Sequence, residues 1–246
     1  MIPISDDDQP GPLPFVNLAI IVINILIFAV IQLQSDAFTM GYSTIPAEIT
    51  HGIDLVGPVT IALPDGTSAT ITEAPGPSPI WLTLFTSMFM HGGWAHVLGN
   101  MLFLFIFGDN VERLYGFLRY LVFYLICGLV ASFAQVLSNP ESVIPSLGAS
   151  GAISGVLAAY LVNFPQNKVR VLVGLRYVTE VPALLMIGLW ALIQFASGIG
   201  SIAVSDQTSG GVAYWAHIGG FIAGAVIAYL LKPFFRGSGL APSPGA

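Results

Sequence analysis

Six apolar runs, most of them near the length needed to cross a bilayer, limit what this chain can fold into. They are Phe15 to Gln34, Trp81 to Phe107, Phe117 to Leu137, Ser150 to Phe164, Val181 to Ala196 and Ala213 to Leu231. A helix needs about 20 apolar residues to cross roughly 30 Å of hydrocarbon. Only 8% of the 246 residues are charged, whereas soluble domains carry roughly 25%, so a soluble globule is excluded. The expected fold class is an all-α membrane protein, a bundle of six transmembrane helices with a long outer loop after the first helix. The second run contains Gly92 and Gly93 and is expected to split into a short helix and a span. The first run has no basic segment before it and no small-residue cleavage site after it, so it reads as a retained span rather than a signal peptide. Cys127, the only cysteine, lies mid-span, which excludes an intramolecular disulfide and a cysteine zinc site.

The seven cations orient the bundle. Arg113 and Arg119 flank the second connection, Lys168, Arg170 and Arg176 lie in the fourth, and Lys232 and Arg236 follow the last run. With six spans all of them fall on one side, which the positive-inside rule makes cytoplasmic, together with both termini. Asp6, Asp7 and Asp8 do not disturb this assignment, because acidic residues count for little in the rule. The organisation is then a cytoplasmic segment over 1–14, a six-span domain over 15–231 and a cytoplasmic flexible tail over 232–246. The plasma (inner) membrane of a prokaryote is the expected location. The outer loop, 35–79, contains a stretch from Val59 to Ile71 that reads as a hairpin turning at Asp65-Gly66. Glu112 and Arg113 are expected to cap the cytoplasmic end of the second span.

Polar residues inside a span are costly and are functional hypotheses by default. Four stand out: His96, Asn100, Ser150 and His217. Each sits in the first turns of a span that starts on the outer side, so topology places them at similar depth. Gly151 and Gly155 form a small-xxx-small pair on the fourth span, and Gly220 and Gly224 form one on the sixth; such pairs let backbones approach closely. If the pairs pack together, Ser150 and His217 differ in depth by only about 3 Å at a rise of 1.5 Å per residue. A serine within reach of a histidine is the arrangement of an activated nucleophile. Ser154 shares a helical face with Ser150, but its N–H is expected to bond to the Ser150 carbonyl, whereas the N–H of Ser150, at the helix start, has no intrahelical partner. Ser150 is therefore the better nucleophile and Ser154 the better packing residue. His96 and Asn100, four apart on the second span, can both donate hydrogen bonds, and with the Ser150 N–H they can stabilise a tetrahedral intermediate.

These residues resemble the rhomboid intramembrane serine proteases. The family's H-x-x-x-x-H-x-x-x-N pattern matches His91, His96 and Asn100, its G-x-S-G pattern matches Gly148, Ser150 and Gly151, and its A-H-x-x-G-x-x-x-G pattern matches Ala216, His217, Gly220 and Gly224. The similarity runs from about Trp81 to Leu231, a motif-bearing core over 81–231. The resemblance implies a Ser150–His217 dyad with no acidic third member and an oxyanion hole from His96, Asn100 and the Ser150 N–H. It implies partners of two kinds, the lipid bilayer and single-span membrane proteins cleaved near the outer face, with no cofactor, metal or nucleic acid. Two departures stand out. Trp81-Leu82 replaces a Trp-Arg pair common in the family, and Ser154 stands where some members carry an aromatic that stacks on the histidine.

Blander readings exist for each residue. A serine at a glycine-rich helix start is by itself usually packing. His91 and His96, five apart, do not share a helical face and have no carboxylate near in sequence, so a zinc site is disfavoured and His91 reads as a structural hydrogen-bonder. His51 reads as a solvated surface residue, and Trp190 and Trp215 as lipid-facing or packing. A catalytically inactive relative that binds membrane proteins is the alternative to an endopeptidase, and a small transporter with a histidine relay is a third class. The transporter would need polar residues in both halves of the membrane, whereas the inner halves of the second, fourth and sixth spans are almost entirely apolar.

Overall fold

The computed structural model describes residues 2–7, 11–62, 67–174, 176–203 and 213–235. Of the expected tail over 232–246, residues 236–246 lie outside the described residues, as does the turn at Asp65-Gly66, while residues 232–235 instead continue the last helix. The chain begins with strand β1 (Ile2–Asp6), followed by helix α1 (Phe15–Leu26), which continues through a π turn (Ile27–Ile31) and a 3-10 turn (Gln32–Gln34). Among the described residues four helices are long and apolar enough to cross a membrane: Phe15–Gln34, Phe117–Ser138, Ala183–Gly200 and Tyr214–Phe235. Ile80–Phe89 and Trp94–Tyr115 make a fifth if taken together across a 76° bend. That bend falls at Gly92 and Gly93, where a break is expected. The principal helices after α1 are α2 (Asp36–Gly41), α3 (Pro46–His51), α4 (Thr83–Thr86), α5 (Trp94–Tyr115), α6 (Phe117–Ser138), α7 (Ser150–Asn163), α8 (Ala183–Ala203) and α9 (Tyr214–Phe235).

Helix α7 has 14 residues, about 21 Å at 1.5 Å per residue, which is short of a roughly 30 Å hydrocarbon layer. Every residue from Gly151 to Tyr160 is buried, because α5, α6 and α9 surround it. A helix apolar on all sides belongs in such a place. Small residues set the approach to α9. A Cβ on Gly220 would strike the Gly151 carbonyl, and one on Gly224 would strike the Gly155 backbone. The lipid-facing surface is the reverse of a soluble protein's: Phe105, Phe117, Leu185, Leu192, Val226 and Leu230 are exposed. Apolar surface of that extent is ordinary only where the solvent is itself apolar.

The molecule is mostly helical rather than all-α. The segment between α1 and α4 carries an antiparallel pair, β2 (Gly57–Ala62) with β3 (Ser68–Glu73), where a hairpin is expected. At the opposite end, β4 (Lys168–Val173) and β5 (Tyr177–Pro182) fill the connection between α7 and α8. Strand β1 adds to β4 antiparallel, pairing Ile2 with Leu172 and Asp6 with Val169. Here β-branched residues give the sequence a strand's character: Val169 and Val171 point inward and are buried, while Lys168 and Arg170 alternate outward. Asp6 also accepts hydrogen bonds from Asn110 and Tyr160.

Glu112 corrects one expectation. Instead of capping its own helix, its carboxylate accepts from the backbone N–H groups of Val16 (3.0 Å) and Asn17 (2.6 Å) at the start of α1. The physical reason is the helix dipole: a carboxylate is favourable at an N-terminus and unfavourable at a C-terminus. Arg113 pairs with Asp109 at 2.9 Å. In the segment between α1 and α4, Glu48 and Glu73 are both buried. Burial pushes both carboxyls up to about 7; a bond from the Leu55 N–H opposes this at Glu48 and the Asp54 charge adds to it, while at Glu73 the Glu48 charge adds to it. His51 is half exposed and hydrogen-bonds Glu141 at 3.0 Å.

Candidate active site

The nucleophile candidate sits where a loop enters α7. Gly148 has φ +124°, a conformation that residues with a Cβ rarely adopt, and its N–H donates to the Ser87 carbonyl at 2.9 Å. Ser87 is itself held by the Thr44 hydroxyl at 2.9 Å, and Thr44 exchanges two backbone hydrogen bonds with Ser146. The loop is therefore clamped by Thr44, from the segment between α1 and α4, and by Ser87 of the broken helix pair. Ser150 is the first residue of α7, so its N–H has no acceptor within the helix. A cavity of about 20 Å³ opens beside it, lined by Ser87, Ser132, Ser146 and Gly148 among others, with room for a water-sized group.

His217 lies in the first turn of α9 and is half-buried. Its Nε2 is 2.7 Å from Ser150 Oγ, and its Nδ1 is 2.7 Å from Gln194 Oε1 on α8. The Trp190 ring lies beside the imidazole, centroids 5.9 Å apart. The Gln135 side chain on α6 accepts from the Ala216 N–H at 3.3 Å and so caps the start of this helix. Ser154 is fully buried, and its hydroxyl donates to the Ser150 carbonyl at 2.6 Å. The hydroxyl is committed and has no path to a substrate.

His96 and Asn100, on α5, face the same loop. A Cβ on Gly148 would sit 2.8 Å from His96 Nε2 and 3.6 Å from Asn100 Nδ2. The Gly92 N–H donates to His96 Nδ1 at 3.3 Å. Because Nδ1 accepts, the ring hydrogen is on Nε2, aimed at the loop. One N–H of Asn100 donates to His91 Nε2 at 3.0 Å, which fixes the amide and leaves its second N–H to face the loop. His91 is held in turn by the Gln32 side chain, which accepts from the His91 N–H (3.0 Å) and donates to its carbonyl (3.1 Å). Gly151, Gly155, Gly220 and Gly224 bring α7 and α9 together. Among the described residues no three His, Cys, Asp or Glu side chains gather as metal ligands would.

Sequence reasoning passed over Gln194, Gln135, Gln32, Ser87 and Thr44. The signal for Gln194 was present: an amide side chain alone in the run "LWALIQFA", which in a membrane asks for a partner.

Long apolar helices with lipid-facing side chains define an integral multi-pass membrane protein. The Rhomboid domain family matches residues 79–234, more than half of the chain, and the chain belongs to the rhomboid family, whose members include intramembrane serine proteases. It is 28% identical over 229 residues to RHOMBOID-like protein 1 of Arabidopsis thaliana, covering 89% of this chain and 54% of that protein. It is 37% identical over 144 residues to Rhomboid protease GluP of Bacillus subtilis (strain 168), covering 58% of this chain and 25% of that protein. RHOMBOID-like protein 2 of Arabidopsis thaliana is 34% identical over 148 residues, covering 60% and 41%. The chain spans about half the length, or less, of the curated relatives it matches.

Proposed function

We propose that this chain is an intramembrane serine endopeptidase that cleaves single-span membrane proteins near the outer face, with Ser150 as nucleophile and His217 as general base. The observation that carries this reading is the 2.7 Å contact between Ser150 Oγ and His217 Nε2. In the proposed reaction Ser150 Oγ attacks the scissile carbonyl carbon while its proton passes to Nε2. The oxyanion that forms accepts from the Ser150 N–H, His96 Nε2–H and the second N–H of Asn100. The imidazolium gives its proton to the leaving amine as the C–N bond breaks. A water, deprotonated by the same nitrogen, then hydrolyses the acyl-enzyme.

The bundle is read as six spans, with α7 as a short, protein-enclosed fourth span and the segment 35–79 outside. Strand β1 pairs with β4, which carries Lys168 and Arg170, and Lys232 at the end of α9 donates to the Val162 carbonyl at 2.6 Å. Strand β1 and the end of α9 thus gather with the cations, which supports a cytoplasmic position for that side. A fluorophosphonate probe labels only an activated serine. Wild-type protein is expected to take the label and to cleave a single-span substrate. Ser150→Ala is expected to lose both while remaining folded, and Ser154→Ala to keep most of both. Labelling that survives Ser150→Ala and vanishes in Ser154→Ala would overturn the assignment.

A further inference from the structure

The Ser150–His217 pair needs more than proximity. A neutral imidazole has two tautomers, and only the one with hydrogen on Nδ1 leaves Nε2 able to take the serine's proton. In a family whose dyad has no acidic third member, something else must select that tautomer and hold the ring. The position where some relatives carry a stacking aromatic holds Ser154, which is buried and turned to the Ser150 carbonyl.

We propose that Gln194 is the positioning residue for His217: its side-chain oxygen accepts the Nδ1 hydrogen at 2.7 Å and so presents Nε2 to Ser150 as a base. This rests on the Ser150–His217 reading above. Gln194 is half-buried on α8, eleven residues above the start of that helix at Ala183, about 17 Å along the axis. That rise brings it to the level of the first turn of α9. Trp190, one turn before it, packs its ring against both His217 and Phe221 (centroids 5.9 and 6.2 Å). Four residues apart, Trp190 and Gln194 share one face of α8 and together fix the imidazole, the ring by contact and the tautomer by hydrogen bond. An amide does this without adding charge. An uncharged acceptor orients the base and leaves the imidazolium less stabilised than a carboxylate would, which suits a site opening into a membrane. The opposite amide orientation, with Gln194 Nε2 donating to Nδ1, would put the ring hydrogen on Nε2 and leave Ser150 without a base.

Three variants of the full chain in detergent test this. Gln194→Met keeps length and removes the acceptor. It is expected to lower kcat about tenfold, the worth of one hydrogen bond, with KM and Tm near wild type. Gln194→Glu keeps the acceptor and cannot donate. It is expected to retain neutral-pH activity while the acid limb of its pH–rate profile moves to higher pH, because a carboxylate stabilises the imidazolium. Nitrogen-15 spectra of histidine-labelled protein supply a readout independent of turnover. Ser150→Ala should show His217 protonated at Nδ1, and Ser150→Ala combined with Gln194→Met should show the two tautomers mixed. Full kcat in Gln194→Met, equal losses in the Met and Glu variants at unchanged Tm, or an unchanged tautomer in the double variant would each overturn the role of Gln194. A wild-type protein that neither cleaves nor takes the fluorophosphonate, yet shows the Gln194-dependent tautomer, would instead overturn the protease reading.

Discussion

Asn100 shows how one side chain can serve two partners. One N–H is spent on His91 Nε2 at 3.0 Å, and the other faces the Gly148 loop. If the second N–H stabilises the oxyanion, Asn100→Ala lowers kcat by about 100- to 1,000-fold and changes KM little, because the ground-state carbonyl gains less from the donor. If the amide only ties His91 in place, the loss is one membrane hydrogen bond, averaging about 0.6 kcal/mol, and Tm falls while kcat holds. Measuring both on one purified variant separates the two. The closeness of Ser150 to His217 was legible in the sequence because span direction and glycine spacing fix depth. Gln194 was not, because it stands alone in an apolar run, and nothing in that run says which face of α8 meets α9.

Among the elements, α7 and α9 are joined most closely. Gly224→Ala adds a Cβ that would meet Gly155 backbone atoms, and backbone cannot swing aside as a side chain can. A cost of about 1–3 kcal/mol is expected, read as a lower Tm in detergent, with fluorophosphonate labelling slowed as His217 is pushed from Ser150. The β2–β3 pair carries a different liability. The Glu73 oxygens are buried without a hydrogen-bond partner, and burial, reinforced by Glu48, holds its carboxyl at about 7 against 4.5 for an unperturbed one. The folded form then binds protons more tightly than the unfolded form. The contribution to stability is fully present below pH 4.5 and is lost as the pH rises through about 7. Glu73→Gln should flatten that slope and raise Tm at pH 8, relative to wild type, more than at pH 5. The long apolar helices and the break at Gly92-Gly93 could be read because hydropathy and glycine act locally. The β1–β4 pairing could not, because each strand is short and its partner lies far off in the sequence, beyond α7.

For the whole molecule, a half-buried Ser150 at the start of an enclosed helix dictates, on the protease reading, what a substrate must do. A scissile bond inside a regular helix hides its carbonyl in a hydrogen bond, so a segment must unwind to reach the loop at Gly148. Single-span substrates with Gly or Pro near the outer end of the span should be cleaved faster than Leu-substituted versions, since both residues weaken helices; equal rates at equal membrane insertion would count against this. The small sheet at the opposite end has a consequence in time. Strand β1 is made early and its partner late: the Lys168 N–H donates to the Asp7 carboxylate across 161 residues of chain. Until Val173 has left the ribosome, residues 2–6 have no strand to lie against, although α1 and α5 through α7 have already been made. The sheet is thus a clasp that shuts late in biogenesis. A nascent chain arrested before that point would leave β1 unpaired and open to an added protease, and a longer one would not.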